Sequence, residues 1–293
     1  MDKIKKTIKE LRAEQYEINI RLYSYYKHWK KAPYTWLKGR FYMESSAVLV
    51  WLLLKTKIKP NTITIIYGFA GIVCMVLLAI PTNTTIILAL LIAFSKGILD
   101  WSDGHFARIT GQTSRSGHIL DVYGANLNEL GFYTGLGFYV AAKTGDFYFY
   151  YLIPLLLYMM AANLKRFAGN HLFQEMSSKL VINDVLKNKI NKSYKKKPYL
   201  GTVEDRLKAF LNQFLGARSR SIDFVCFIIL SELMFQINIT WIIFILVLFK
   251  QFLIFSGSIY IFWKGGWAEN QMKNKILEID TIFTEINEEK KLQ

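Results

Sequence analysis

The chain has 293 residues, of which 52% are hydrophobic and 15% aromatic, and its formal net charge is +15. Soluble domains of this length do not usually carry repeated apolar stretches of near-membrane length, so the composition argues against an ordinary soluble enzyme. The basic residues lie beside the apolar stretches, where Lys and Arg meet anionic lipid headgroups. This placement disfavours a nucleic-acid-binding protein.

The first region is residues 1–59, of which 1–46 are polar, basic and aromatic. Ile4, Ile8 and Leu11 recur at helical spacing with lysines between them, which predicts an amphipathic helix on the cytoplasmic surface of a membrane. The stretch 47–54 is apolar but too short to span a bilayer. It therefore predicts an interfacial or re-entrant segment.

The second region, residues 60–265, contains six apolar segments. Each one approaches the roughly 20 residues that a membrane-spanning helix needs, and polar helical turns would complete the shorter ones. The segments are 63–80, 86–99, 127–142, 147–162, 222–235 and 239–263. We therefore predict an all-α, multi-pass integral membrane protein with six transmembrane helices, followed by a charged tail at 266–293.

Basic connections alternate along the chain with connections that are almost free of Lys and Arg. The N-terminal region and the long connection 164–221 are strongly basic, whereas the connections 81–85 and 236–238 contain no Lys or Arg. Cytoplasmic loops are enriched in these residues. The alternation therefore predicts that both termini, the 164–221 connection and the turn after the second span are cytoplasmic.

Three aspartates lie near the ends of adjacent predicted spans. Asp100 and Asp103 end an apolar run and share one helical face, and a short turn through Gly111 would bring Asp121 back beside them. Carboxylates at membrane depth are expensive and usually functional. Three together call for a hard divalent cation such as Mg²⁺ or Mn²⁺. Helix-end capping and salt bridges to Arg108 and Arg115 are the alternative.

Small residues and an arginine surround these aspartates. Gly104 and Ala107 keep one helical face small, and Gly117 does the same on the returning helix. Arg108 offers a planar fork for phosphate oxygens. Glycines in membrane helices often only permit close packing. Together with the carboxylates, however, they predict a site for a metal-bound phosphate substrate.

The stretch 100–108, Asp-Trp-Ser-Asp-Gly-His-Phe-Ala-Arg, followed by Gly117 and Asp121, resembles the signature of the CDP-alcohol phosphotransferase (CDP-alcohol phosphatidyltransferase) family. That signature reads D-x-x-D-G-x-x-A-R, a spacer, then G-x-x-x-D-x-x-x-D, and seven of its eight fixed positions are present. The segment 60–64 and the predicted six-span core also look like the family's. The resemblance covers about residues 40–263.

The resemblance implies a membrane enzyme of phospholipid or related biosynthesis, with a polar cavity open to the cytoplasm. An alcohol acceptor would attack the phosphorus of a CDP-alcohol donor and CMP would leave, with two Mg²⁺ or Mn²⁺ ions at the site. Asp100, Asp103 and Asp121 would be the metal ligands. A homodimer is also implied. The CDP site would be lined by Gly104, Ala107, Arg108 and Gly117.

Position 125 departs from the family pattern, because Ala125 stands where the fourth aspartate is expected. In the family that aspartate is a metal ligand and the implied general base, and alanine can do neither. Three interpretations remain open. The chain is an inactivated variant of an active enzyme, or a homologue in which Glu129, one turn on, takes over, or a pseudoenzyme that binds without turnover.

A membrane transporter or channel with intramembrane carboxylates is the alternative from another class. It predicts internal pseudo-symmetry and broken helices in paired positions. The sequence shows neither, and its carboxylates cluster at one helix–turn–helix.

Three further cations are candidates for binding phosphate. Lys96 lies one turn before Asp100 and is predicted either to pair with that carboxylate or to contact the substrate. Lys165 and Arg166 follow the fourth predicted span and could bind an anionic acceptor or a lipid headgroup. The alternative is that Lys165 and Arg166 are only the basic residues expected at the cytoplasmic end of a membrane helix.

Overall fold

The computed structural model describes residues 6–22, 33–163 and 218–263, which form eight α-helices and no strand. The all-α class predicted from the sequence is thus confirmed for this part of the chain. The predicted tail and most of the predicted 164–221 connection lie outside it. The helices are α1 (Ile8–Leu22), α2 (Pro33–Leu53), α3 (Pro60–Ala79), α4 (Asn83–Ile109), α5 (Arg115–Thr144), α6 (Tyr148–Asn163), α7 (Arg218–Phe235) and α8 (Thr240–Trp263).

Three of these helices are long and apolar enough to cross a membrane, over Pro60–Ala79, Asn83–Ile109 and Thr240–Tyr260. Apolar side chains such as Phe69 and Leu91 point outward from them, as expected for contact with lipid. The other predicted spans correspond to α5, α6 and α7, which are more polar or shorter. The three apolar helices indicate a membrane protein, and the count of six spans stays a prediction.

The turn between α4 and α5 is short because local signals end one helix and start the next. Gly111 adopts a φ of +66°, a conformation that costs glycine little. The Ser114 side chain then caps α5 by accepting a hydrogen bond from the Gly117 backbone N–H at 3.0 Å. The turn predicted at Gly111 is therefore present.

Helices α4 and α5 both extend beyond the apolar segments predicted for them. The second apolar segment ends at residue 99 but α4 continues to Ile109, and α5 begins at Arg115 rather than near 127. These additional polar turns carry Asp100, Asp103 and Asp121. The part of each helix that apolar periodicity does not detect is thus the part that holds the candidate site.

Helix α3 lies between α4 and α5 and packs against both, whereas α4 and α5 contact each other little. Glycines make the α3–α5 contact close. A Cβ added at Gly71 would lie 2.5 Å from the Asn128 Cα, and one added at Gly131 would lie 2.4 Å from the Gly71 carbonyl. Gly68 approaches Gly124 further along, so the two helices run in the same direction with their backbones in contact.

The main apolar core is formed by all six helices from α3 through α8. At one end of this core, a buried carboxylate of α7 forms hydrogen bonds with α5 and with the start of α8. Glu232 of α7 is fully buried and accepts hydrogen bonds from Tyr139 Oη at 2.9 Å and Lys143 Nζ at 3.0 Å. It also accepts from the backbone N–H groups of Ile239 and Thr240, at 2.5 and 2.6 Å. These partners offset the desolvation of the charge.

Helices α1 and α2 pack beside α4, outside the six-helix core. The stretch 47–54 was predicted to be interfacial or re-entrant, and residues 47–53 are the last turns of α2. The reason is that α2 packs onto α4, where the Tyr42 hydroxyl donates to the Phe94 carbonyl at 2.9 Å. Leu11 of α1 is fully buried against α2 and α4. The cytoplasmic location of this layer stays a prediction.

We expect Gly131→Ala to lower the melting temperature of the detergent-solubilised protein, because the added methyl would overlap the Gly71 carbonyl. Overpacking of this kind costs about 1–3 kcal/mol. The matched control is Gly257→Ala in α8, where nothing lies within 4 Å of an added Cβ. Equal melting temperatures for the two variants, measured by thermal unfolding, would contradict the close α3–α5 packing.

Candidate active site

Asp103 is the best-defined carboxylate of the candidate site and is only 5% exposed. The Thr64 hydroxyl of α3 donates to its Oδ2 at 2.6 Å, and the backbone N–H of Gly104 donates to its Oδ1 at 2.5 Å. A buried carboxylate is costly unless hydrogen-bonded. These two donors therefore hold the side chain at the α3–α4 contact.

Asp121 brings a second negative charge toward Asp103 from α5. The two carboxylates interact electrostatically, and the guanidinium of Arg108 acts on Asp103 with the opposite sign. Two negative carboxylates in a partly buried site repel each other, which destabilises their charged forms unless a positive charge lies nearby. Arg108 supplies part of that positive charge.

Asp100 lies one helical turn after Lys96 and interacts electrostatically with its ammonium group. Lys96 is only 4% exposed, and Glu129 of α5 acts on the same ammonium. An ionisable side chain within a membrane helix normally faces other polar groups rather than lipid. Lys96 follows this rule, with carboxylates near it on two helices; its role in binding substrate stays a prediction.

The assignment of the three aspartates as metal ligands stays a prediction. Across residues 6–22, 33–163 and 218–263, no group of three or more His, Cys, Asp or Glu side chains is arranged so that it could hold a metal ion. Asp103 and Asp121 act on each other, whereas Asp100 acts on Lys96. The donor chemistry nevertheless fits, because carboxylate oxygens are the ligands that Mg²⁺ and Mn²⁺ prefer.

Ala125 lies one turn after Asp121 on α5 and is half-buried. Its methyl group brings neither a ligand oxygen nor a proton acceptor to this position. Glu129 follows a further turn on, about 6 Å along the helix axis, and is 8% exposed. Its carboxylate acts on Lys96 and on Tyr133, so it belongs to the polar cluster around Lys96.

The small residues of the motif lie where the site helices come close together. At Gly104, the atom nearest to an added Cβ is Nη1 of Arg108, at 3.3 Å, so the glycine leaves the guanidinium its space. At Gly117, an added Cβ would lie 3.2 Å from Asn61 Oδ1. Ala107 is half-buried on α4. Lys165 and Arg166 lie outside the described residues.

Asn61 and Thr64 are candidate site residues to which sequence reasoning assigned no role. Thr64 holds Asp103, and Asn61 faces Gly117 across the first turns of α3 and α5. Their spacing of three places them on one helical face. This spacing within the family-like segment 60–64 is the sequence feature that could have identified Asn61 and Thr64 as site residues.

We expect Thr64→Val to destabilise the protein by about 1–3 kcal/mol, the usual cost of leaving a buried polar group without its partner. Thr134→Val is the matched control. Thr134 is equally buried, but its hydroxyl donates to the Leu130 carbonyl of its own helix at 2.7 Å. The measurement is the free energy of unfolding from thermal denaturation. If Thr64→Val lowers it no more than Thr134→Val does, the structural role given to the Thr64–Asp103 hydrogen bond is contradicted.

Comparison with known proteins agrees with the motif. Residues 57–169 match the family model described as CDP-alcohol phosphatidyltransferase, whereas no curated protein matches the chain. The matched range contains the helices α3, α4, α5 and α6, and α1 and α2 precede it. It includes Thr64 and all three aspartates. Residues 57–169 are therefore similar to CDP-alcohol phosphatidyltransferase domains, in agreement with the resemblance of the motif.

Proposed function

We propose that the chain transfers a phosphoalcohol group, such as a phosphatidyl group, from a CDP-alcohol donor to an alcohol acceptor, and that CMP is released. The observation that carries this proposal is the meeting of α3 and α4 at Asp103, with the charge of Asp121 acting from α5. All three helices lie within the family-matched range, which supports the class of reaction. Synthesis of phospholipids or related molecules is the proposed context.

Mg²⁺ or Mn²⁺ is the proposed cofactor, with Asp100, Asp103 and Asp121 as ligands. Their hard oxygen donors and the mutual repulsion of Asp103 and Asp121 support this assignment. When bound, such ions neutralise the pyrophosphate and stabilise the leaving CMP.

The CDP donor is proposed to lie against the motif face of α4 and the first turn of α5. Arg108 would hold a donor phosphate oxygen with its planar fork. Lys96, Lys165 and Arg166 are proposed to contribute positive charge for the donor, the acceptor or a lipid headgroup. The remaining lining residues would be Gly104, Ala107 and Gly117, which leave room for the donor.

The transfer exchanges one phosphorus–oxygen bond for another. The acceptor oxygen bonds to the phosphorus that carries the donor's alcohol, the bond from that phosphorus to the bridging oxygen breaks, and CMP leaves with that oxygen. The hydroxyl proton must pass to a base. Ala125 cannot accept it, so we propose that this chain is impaired at the proton-transfer step unless Glu129 takes over.

The same proposal includes an orientation in the membrane. Six spans from α3 to α8, cytoplasmic termini and a cytoplasmic active site are supported by the alternation of basic and non-basic connections. A homodimer is proposed from the family resemblance alone.

A binding-only protein is the second candidate, and Ala125 is the observation that favours it. Such a protein would keep the donor site and release no CMP. A transporter stays a weaker alternative, because residues 57–169 match the CDP-alcohol phosphatidyltransferase model.

We expect Ala125→Asp to raise CMP release by about 10²–10⁴-fold, the usual contribution of a positioned general base. The assay pairs CDP-diacylglycerol with polar alcohols, and soluble CDP-alcohols with diacylglycerol. Ala125→Asn is the matched control, since it has the size of aspartate without its basicity, and no comparable gain is expected from it.

Three other outcomes have distinct meanings. Equal activity of the parent chain and Ala125→Asp would show that another group accepts the proton. CDP binding without CMP release from Ala125→Asp would favour the binding-only candidate. An absence of both binding and release across all donor–acceptor pairs would contradict the proposed reaction class.

A further inference from the structure

We propose that Gln15, on α1 and outside the family-matched range, is a positioning residue for the aspartate motif of α4. The inference rests on the proposed function, because it assumes that the motif binds a divalent cation. It means that the N-terminal helix is part of the working unit rather than a separate membrane-surface segment.

Gln15 contacts the backbone of the motif directly and is only 1% exposed. Its Nε2 donates to the Trp101 carbonyl at 3.2 Å and to Ser46 Oγ at 3.0 Å. Trp101 stands between Asp100 and Asp103. A helical carbonyl has two lone pairs and uses one for the N–H four residues on, so the Gln15 amide adds a second bond without breaking the helix.

A second contact between α1 and the motif lies one turn further along α4. Glu14 Oε2 lies 3.7 Å from His105 Nε2, and His105 is only 1% exposed. In the described part of the chain, neither ring nitrogen of His105 has a hydrogen-bond partner. The motif therefore faces α1 with both a backbone carbonyl and a buried imidazole.

Apolar packing links the same helix to both sides of the Thr64–Asp103 contact. Leu11 is fully buried in a cluster that includes Phe106 of α4 and Ile63 of α3. Ile63 is adjacent to Thr64. Helix α1 therefore packs behind both helices that meet at Asp103, and the Gln15 amide sets where the motif backbone lies relative to that packing.

The test compares the 293-residue parent chain with Gln15→Met, which keeps the side-chain length and removes the amide hydrogen bonds to Trp101 and Ser46. Free Mn²⁺ is followed by electron paramagnetic resonance, and hydrogen–deuterium exchange is followed over residues 100–108. We expect Mn²⁺ affinity to fall about 5-fold, equivalent to one hydrogen bond of about 1 kcal/mol, and exchange over 100–108 to become faster.

Ser46→Ala is the matched control, because it removes the other partner of the same amide without touching the motif. We expect it to retain parental Mn²⁺ affinity and exchange. Gln15→Met that matches Ser46→Ala in both measurements would overturn the proposal, even if its melting temperature falls, since Gln15 would then serve packing alone. A parent chain that binds no Mn²⁺ would count against the proposed cofactor, and exchange over 100–108 would still decide the role of Gln15.

Discussion

One hydrogen bond, from the Thr64 hydroxyl to the Asp103 carboxylate, organises this end of the molecule. It joins α3 to α4 at the point where Asp103 is only 5% exposed. A carboxylate in such a place needs donors, and it needs them at a fixed distance. The distance between the Thr64 hydroxyl and the Asp103 carboxylate depends on how the helices pack. Two contacts affect it, which are the backbone contact between α3 and α5 and the packing of α1 behind α4.

The arrangement of the site follows from helix order more than from the motif itself. Because α3 lies between α4 and α5, Asp103 and Asp121 approach each other across the first turns of α3 rather than across a direct α4–α5 interface. Glycines at 71 and 131 allow this by letting the backbones meet. The close packing of α3 against α5 thus affects the distance between the Asp103 and Asp121 carboxylates.

The helices and the aspartate motif could be predicted from the sequence. The contacts between helices could not, for a physical reason. Long apolar runs predict helices because a helix satisfies its own backbone hydrogen bonds away from water. The D-x-x-D-G-x-x-A-R pattern predicts the reaction class through its resemblance to the CDP-alcohol phosphotransferase family. The role of Thr64 could not be predicted, since helical periodicity does not say which helix packs against which. The same limit hid Gln15, whose partner is a backbone carbonyl 86 residues away.

Position 125 separates binding from chemistry in this account. The carboxylates and Arg108 are proposed to hold a cation and a diphosphate, whereas proton transfer needs a group that alanine lacks. Calorimetric titration of the 293-residue chain with CDP, with and without Mn²⁺, tests the proposed binding most directly. We expect that CDP binds only with Mn²⁺, that Asp103→Asn abolishes this binding, and that Asp146→Asn, at an exposed turn, preserves it. CDP binding that ignores both Mn²⁺ and Asp103→Asn, or no CDP binding at all, would contradict this expectation.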